Sequence, residues 1–217
     1  MSQVMVISAH PDDMEIGMGG TVAKMAELGT FVSSVVLTDG RRSTNPFSWT
    51  EDEMARVRKE EAKKAAAILG INEIIFFGLP ELETESGNYQ LAKQKLRELI
   101  TQLRPDEIYT PHSDLDKHPT HQQAGQLVIE CWRELRSVSQ AKVWAYEVWG
   151  LFSTWDRFEP IDGQIGKKLL ALSEHRSQIA SIPYGEGIIG LNRWRAVFAD
   201  PHQEKPKAAF AEVFISV

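Results

Sequence analysis

Two short clusters of histidine and acid carry most of the chemistry this chain could do. The first is Ala9-His10-Pro11-Asp12-Asp13 and the second is Asp116-Lys117-His118-Pro119-Thr120-His121. Imidazole and carboxylate are the ligand types zinc prefers, and a catalytic zinc site takes three protein ligands and keeps one position open. His10 and Asp13 stand three residues apart in a tight turn, so both can point at one ion, and His121 can bring the third donor. Asp12 is then left over beside the ion. A carboxylate there is suited to act as general base, taking a proton from a metal-activated water and returning it to a leaving amine. His118, three residues before His121, is placed to act as a charged hydrogen-bond donor to a tetrahedral oxyanion. The reaction so outlined is hydrolysis of an amide.

Plainer readings stand beside this one. Adjacent aspartates after a strand serve as caps and turn formers. Thr120-x-x-Gln123 fits a helix capping box, so the second cluster also reads as a helix start. Spacing alone leaves the metal site and these readings open. The metal reading gains from the conjunction: both clusters fall just after strands of one α/β pattern, where sites in open sheets form.

The elements that must position these residues follow from periodicity. Val4–Ser8 is a short apolar run ending at a turn, as for a buried strand. Gly17–Leu28 reads as a helix stopped by Gly29, Phe31–Leu37 as a second strand, and residues 38–49 as a turn-rich loop. Glu51–Leu69 is helical, with Ala55, Ala62, Ala66 and Leu69 on one face and Gly70 closing it. Glu73–Phe77 is a third strand, Tyr89–Leu103 an amphipathic helix ended by Pro105, and Glu107–Thr110 a fourth strand. His121–Leu135 is a helix and Lys142–Val148 a fifth strand. Beyond residue 150 the pattern loosens: Ile165–Ser181 reads as a helix, Pro183–Gly190 as a Gly-rich loop, and Ala208–Ile215 as a final strand. The alternation predicts an α/β fold, a Rossmann-like, mostly parallel sheet flanked by helices on both faces, in a single domain spanning 1–217. In the common doubly wound order the first and fourth strands are neighbours, which would bring the two clusters together.

Composition narrows the function classes. The 217 residues are 42% hydrophobic and 25% charged, and the net charge of −6 gives no electrostatic case for nucleic acid or an anionic membrane. The start MSQVMVISAHPDD reads as a strand and not as a signal peptide, and no run approaches the ~18 apolar residues of a membrane span, so a cytoplasmic location is expected. Cys131, the single cysteine, sits in an apolar stretch and reads as an inert buried thiol. A nucleotide-binding Rossmann domain would need a Gly-rich turn directly after the first strand, and that turn is His-Pro-Asp-Asp instead.

Residues 9–21, AHPDDMEIGMGGT, resemble the first motif of the PIG-L/LmbE-like family of N-acetylglucosamine deacetylases, A-H-P-D-D followed by E-[IL]-G-x-x-G-T. His118-Pro119-Thr120-His121 resembles its second motif, H-P-D-H. RKEEAKKAAAILG at 58–70 resembles its R-x-x-E-A element, and His175-Arg176-Ser177-Gln178 and Ala211-Glu212-Val213-Phe214 resemble two later ones. The likeness runs through nearly the whole chain in order. It implies zinc, or another divalent transition metal, held by His10, Asp13 and His121. It implies Asp12 as general base, His118 as oxyanion donor and Arg58 as a sugar-binding arginine. The implied substrate is a small N-acetylated amino sugar or glycoside, and the implied assembly a homo-oligomer. A zinc amidase for another acyl-amine, or a binding protein without catalysis, remain alternatives. Thr120 departs from the family's aspartate, which by the resemblance orients and charges His118; Thr supplies no negative charge, leaving Asp114 or Asp116 as candidate replacements.

Other residues are read more plainly. By sequence alone Arg58 pairs with Glu60 or Glu61 on the helix surface. Trp144, Trp149, Phe152 and Trp155 read as core packing or an oligomer contact, with stacking on a sugar as the functional alternative. Tyr184-Gly185-Glu186-Gly187 reads as a mobile lip or a plain loop. His112 and His202 read as surface residues.

Overall fold

The computed structural model describes residues 2–198 and 208–217; His202 lies outside them. Strand β1 (Gln3–Ser8) is followed by α1 (Asp13–Glu27), β2 (Phe31–Thr38), α2 (Glu51–Leu69), β3 (Glu73–Leu79), α3 (Gly87–Leu103), β4 (Glu107–Pro111), α4 (Pro119–Glu134) and β5 (Lys142–Tyr146). Then come β6 (Arg157–Pro160), α5 (Ile165–Ser173), α6 (Arg176–Ile179), α7 (Tyr184–Val197) and β7 (Ala211–Ser216). One sheet takes all the strands in the order β3-β2-β1-β4-β5-β7-β6. The first five lie parallel, while β7 runs antiparallel to β5 and β6 antiparallel to β7. The expected fold class is borne out, with β1 beside β4 as anticipated.

The run Val4-Met5-Val6-Ile7 shows why both faces need cover. Met5 and Ile7 enter a core with Leu96 and Ile100 of α3 and Leu127 and Val128 of α4. Val4 and Val6 enter another with Val22 of α1, Leu69 of α2 and Leu172 of α5. Period-two alternation sends neighbours to opposite faces, so a strand apolar at every position requires helices on both sides. Cys131 is buried in the first core, and burial pushes its thiol up to about 12.

Several expectations are corrected. Helix α1 begins at Asp13, not Gly17, with Asp12 as its N-cap residue. A Cβ on Gly17 would collide with the Tyr146 ring and the Glu147 carbonyl, so this glycine serves close packing of helix on sheet and not a loop. Near the irregular Met18, the amides of Gly20 and Thr21 donate to Glu212 at 3.0 and 2.7 Å, and Lys168 pairs with that same carboxylate at 2.6 Å. The helix expected over 165–181 breaks before His175, and Ser177 N–H finds a tertiary acceptor there in Glu61, at 2.8 Å. Pro183–Gly190 is not a loop. From Tyr184 it is the first half of α7, held by buried Ile188, Asn192 and Arg195, whose packing outweighs the helix cost of three glycines. Strand β6 had no signal in the sequence.

Candidate active site

The carboxyl ends of β1 and β4 bring the two clusters into one cavity. After β1 the chain turns at once: Asp12 N–H donates to His10 O at 3.0 Å, and His10 N–H donates to Asp13 Oδ2 at 2.8 Å. Thr38, at the end of β2, donates through Oγ1 to Ala9 O at 2.7 Å and fastens this turn to the sheet. From the neighbouring strand, α4 begins at Pro119, so His118 is its N-cap and His121 lies in its first turn.

Three donor atoms then converge. His10 Nδ1 lies 3.1 Å from His121 Nε2, Asp13 Oδ1 lies 3.2 Å from His121 Nε2, and His10 Nδ1 lies 3.7 Å from Asp13 Oδ1. Tetrahedral bonds of about 2.0–2.1 Å to one ion place donors roughly 3.3–3.4 Å apart, so this triangle fits such an ion. Two ring nitrogens this close beside a carboxylate share a proton or a metal ion. His118 stands close by, with ligand atoms of His10, His118 and His121 all within 4.8 Å of one another.

The side chains behind the triangle orient it. His121 Nδ1 meets Asp116 Oδ1 at 3.0 Å, which turns its Nε2 toward the centre. Asp116 is itself clamped, accepting from the amides of His118 at 2.9 Å, Trp149 at 3.1 Å and Gly150 at 3.3 Å. Neither Asp116 nor Asp114 replaces the carboxylate missing at Thr120: Asp116 goes to His121, and Asp114 accepts from Ser113 Oγ. The ring of His118 is held another way. Its Nδ1 accepts the Thr120 N–H at 3.2 Å, capping α4, and this leaves Nε2 to carry the proton and donate.

Arg58 corrects the surface pairing expected from sequence. It is 2% exposed, and its guanidinium donates to Asp12 Oδ1 at 2.8 Å and to Gly40 O at 3.3 Å. Glu60 pairs with Lys63 and Glu61 with Ser177 instead. Spacing could have shown this, since Met54, Arg58, Ala62, Ala65 and Leu69 fall on one buried helical face. Gly40, at φ 66°, lets the chain pass where a Cβ would strike the guanidinium.

Charge follows from these partners. Burial works to raise the Asp13 carboxyl, but His121 and His10 outweigh it and hold it well below the usual range. For His121, burial works to lower the imidazole, and Asp13 and Asp116 overcome it, taking it up to about 10. Burial, reinforced by His10 and His121, pushes His118 down to about 4, so the charged donor expected from the sequence is a neutral imidazole. Burial lifts Asp12 above its ordinary value even with Arg58 beside it. Two neighbouring carboxyls are thus shifted in opposite directions, Asp13 down by its histidine partners and Asp12 up by burial.

The cavity is about 510 Å³, within the roughly 300–1,000 Å³ of small-molecule sites. All six sequence-chosen residues, His10, Asp12, Asp13, Arg58, His118 and His121, line it. Tyr184 and Gln178 line it too, so the supposed lip is a helix N-terminus forming a wall. Of the four aromatics, Trp149 lines the cavity and is 44% exposed, and its ring meets His118 edge-on at 5.4 Å. Phe152 is core, Trp144 lies under Arg157, and Trp155 under Arg195. His112 is half-buried, with Nδ1 accepting two backbone amides. Among the described residues no helix is long and apolar enough to cross a membrane.

Residues 5–132 match the family model described as PIG-L, GlcNAc-PI de-N-acetylase. A diacetylchitobiose deacetylase of Thermococcus kodakarensis is 35% identical over 134 residues, 60% of this chain and 49% of that protein, so the aligned stretch is about half that relative's length. The N,N′-diacetylchitobiose deacetylase of Pyrococcus horikoshii, solved with an inhibitor, superposes with a TM-score of 0.81 at 26% identity, covering 100% of this chain and 84% of that one. The 4-carboxy-2-hydroxymuconate hydratase of Pseudomonas putida superposes with a TM-score of 0.84 at 23% identity, covering 100% and 96%. Deacetylase and hydratase share this fold, so the fold by itself does not choose the reaction.

Proposed function

This chain belongs to the PIG-L family, and on that membership and the geometry of its cavity we propose that it is a metal-dependent hydrolase removing the N-acetyl group from an N-acetylglucosamine-type sugar or glycoside. The observation that carries the reading is the triangle of His10 Nδ1, Asp13 Oδ1 and His121 Nε2, with the Arg58-held carboxylate of Asp12 beside it. Two imidazole nitrogens and one carboxylate oxygen suit zinc, and iron, cobalt or manganese accept the same donors. A bound ion would supply Lewis acidity toward water and the amide carbonyl.

The remaining work falls to the chain's own groups. Asp12 is the general base. One of its oxygens is occupied by Arg58, which leaves the other to take a proton from the attacking water and deliver it to the departing nitrogen. Burial raises its carboxyl above the ordinary aspartate value, which makes it a better proton acceptor than a free aspartate. His118 offers Nε2–H to the oxyanion as a neutral donor, its Nδ1 being held by the Thr120 amide. The role a family aspartate has in orienting this histidine is here taken by the start of α4. Trp149 and Tyr184 give the sugar walls on which to lie. Arg58, buried against Asp12, acts on the base directly and meets the sugar through its cavity-facing edge.

Acetate release from free N-acetylglucosamine by the zinc-loaded protein, with Asp12→Asn as control, tests the reading. Release that depends on Asp12 supports it. A metal-loaded protein that releases no acetate from any N-acetylglucosaminide sinks it and leaves an amidase for another acyl-amine.

A further inference from the structure

Resting on the deacetylase reading, we propose that the end of the cavity away from the histidines is a subsite for an uncharged, hydroxyl-bearing unit, a second sugar, and that Glu81 and Glu83 turn away aglycones carrying carboxylate or phosphate. The sheet order places this end. The histidines and Asp13 come from the ends of β1 and β4, and the strands next in line on one side are β2 and then β3. The loop after β2 contributes Arg42, Ser43 and Thr44 to the cavity wall, and the loop after β3 contributes Glu81 and Glu83. With strands about 4.8 Å apart, the β3 loop stands roughly 10 Å along the sheet edge from β1. When the acetamido group is at the histidines, what reaches that loop is the substituent on the sugar ring.

Charge decides what the substituent can be. Among the described residues two arginines line the cavity, and each already faces a carboxylate. Arg58 is committed to Asp12 at 2.8 Å. Arg42 bridges the two loops, donating to Glu81 at 3.2 Å, with Glu51 4.0 Å away. Among the described residues no lysine lines the cavity, and none of the described ion pairs includes Glu83. The far end therefore presents two carboxylates against one engaged cation. An anionic aglycone would have to compete with Glu81 for Arg42 and would still face the Glu83 carboxylate, a like-charge juxtaposition that builds discrimination by repulsion. Hydroxyls meet the opposite conditions. Carboxylates accept from them, and Ser43, whose hydroxyl accepts from buried Gln178 at 3.2 Å, adds a fixed polar group on the same wall.

The test compares kcat/KM for N,N′-diacetylchitobiose and for N-acetylglucosaminyl malate, with free N-acetylglucosamine as reference. The metal-loaded native chain and the Glu81→Gln/Glu83→Gln double variant are run side by side. The native chain should prefer the disaccharide by about tenfold or more, and the preference should shrink by about fivefold or more in the double variant. Raising salt to about 0.5 M should narrow the preference in the native chain more than in the variant. A native chain that handles the malate glycoside as well as the disaccharide overturns the proposal, and so does a preference untouched by both the substitutions and salt. Acetate from all three substrates without discrimination fails this inference alone, while acetate from none fails the deacetylase reading and takes the inference with it.

Discussion

Arg58 donates to Asp12 Oδ1 at 2.8 Å with both side chains withdrawn from solvent. Forty-six residues apart in sequence, they form a buried ion pair at the floor of the cavity. Removing the arginine strands a buried carboxylate, so Arg58→Met should lose about 3–5 kcal/mol of stability, read as a lowered midpoint in denaturant. The guanidinium also holds the Asp12 carboxyl down against burial. Without it the acid limb of the activity profile should move to higher pH. A limb that stays in place would separate Arg58 from the base.

Asp12→Asn should keep the metal and lower kcat by about 10²–10⁴-fold, the usual worth of a positioned proton acceptor. Elemental analysis beside acetate release checks both halves. Full turnover in the asparagine variant would assign the base elsewhere.

His121 links metal binding to pH. In the metal-free chain its imidazole is held up to about 10 by Asp13 and Asp116, above the ordinary 6.5. The stability this gives is fully present below about pH 6.5 and is lost as pH rises through about 10. A metal held by His121, as proposed, would displace that proton. Binding at pH 7.5 should therefore release about one proton per ion and tighten by about tenfold per pH unit until His121 titrates. Calorimetry in buffers of different ionisation enthalpy measures the release. Asp116→Asn should weaken metal affinity by about 10–100-fold.

His118 is held down to about 4, so it stays neutral across the range where the enzyme would work. His118→Ala should lower kcat by about 10²–10³-fold with metal content unchanged. No limb of the native profile between about pH 5 and 9 should trace to this residue, which overlaying the profiles of the two proteins would reveal.

Lys168 and Glu212 form a pair with both side chains fully buried, and Glu212 also accepts the amides of Gly20 and Thr21 where α1 is irregular. Lys168→Met should cost about 3–5 kcal/mol by leaving that carboxylate uncompensated. A melting temperature equal to the native one would show that Glu212 is satisfied by the amides alone.

Much of the site is legible in the chain. His10, Asp12 and Asp13 share one turn, so spacing keeps them near one another, while Thr38 and Arg58 from other elements fix how the turn and the Asp12 carboxylate are held. The βα alternation set the class of sheet, and with it the neighbouring of β1 and β4 that joins the two clusters. What spacing left open was settled by packing. Asp116 stands two residues from His118 and five from His121, and only the clamp from the Trp149 and Gly150 amides, coming off another strand, aims its side chain at His121. Arg58 had acids beside it in sequence, yet it turns inward because its face of α2 is the buried one. The glycines at 185, 187 and 190 argued for a loop, and the buried partners of α7 made them helix. Local geometry acts over a turn or two and is written in the residue order. The partner of a buried charge depends on which elements the sheet order sets against each other, and that is a property of the folded chain.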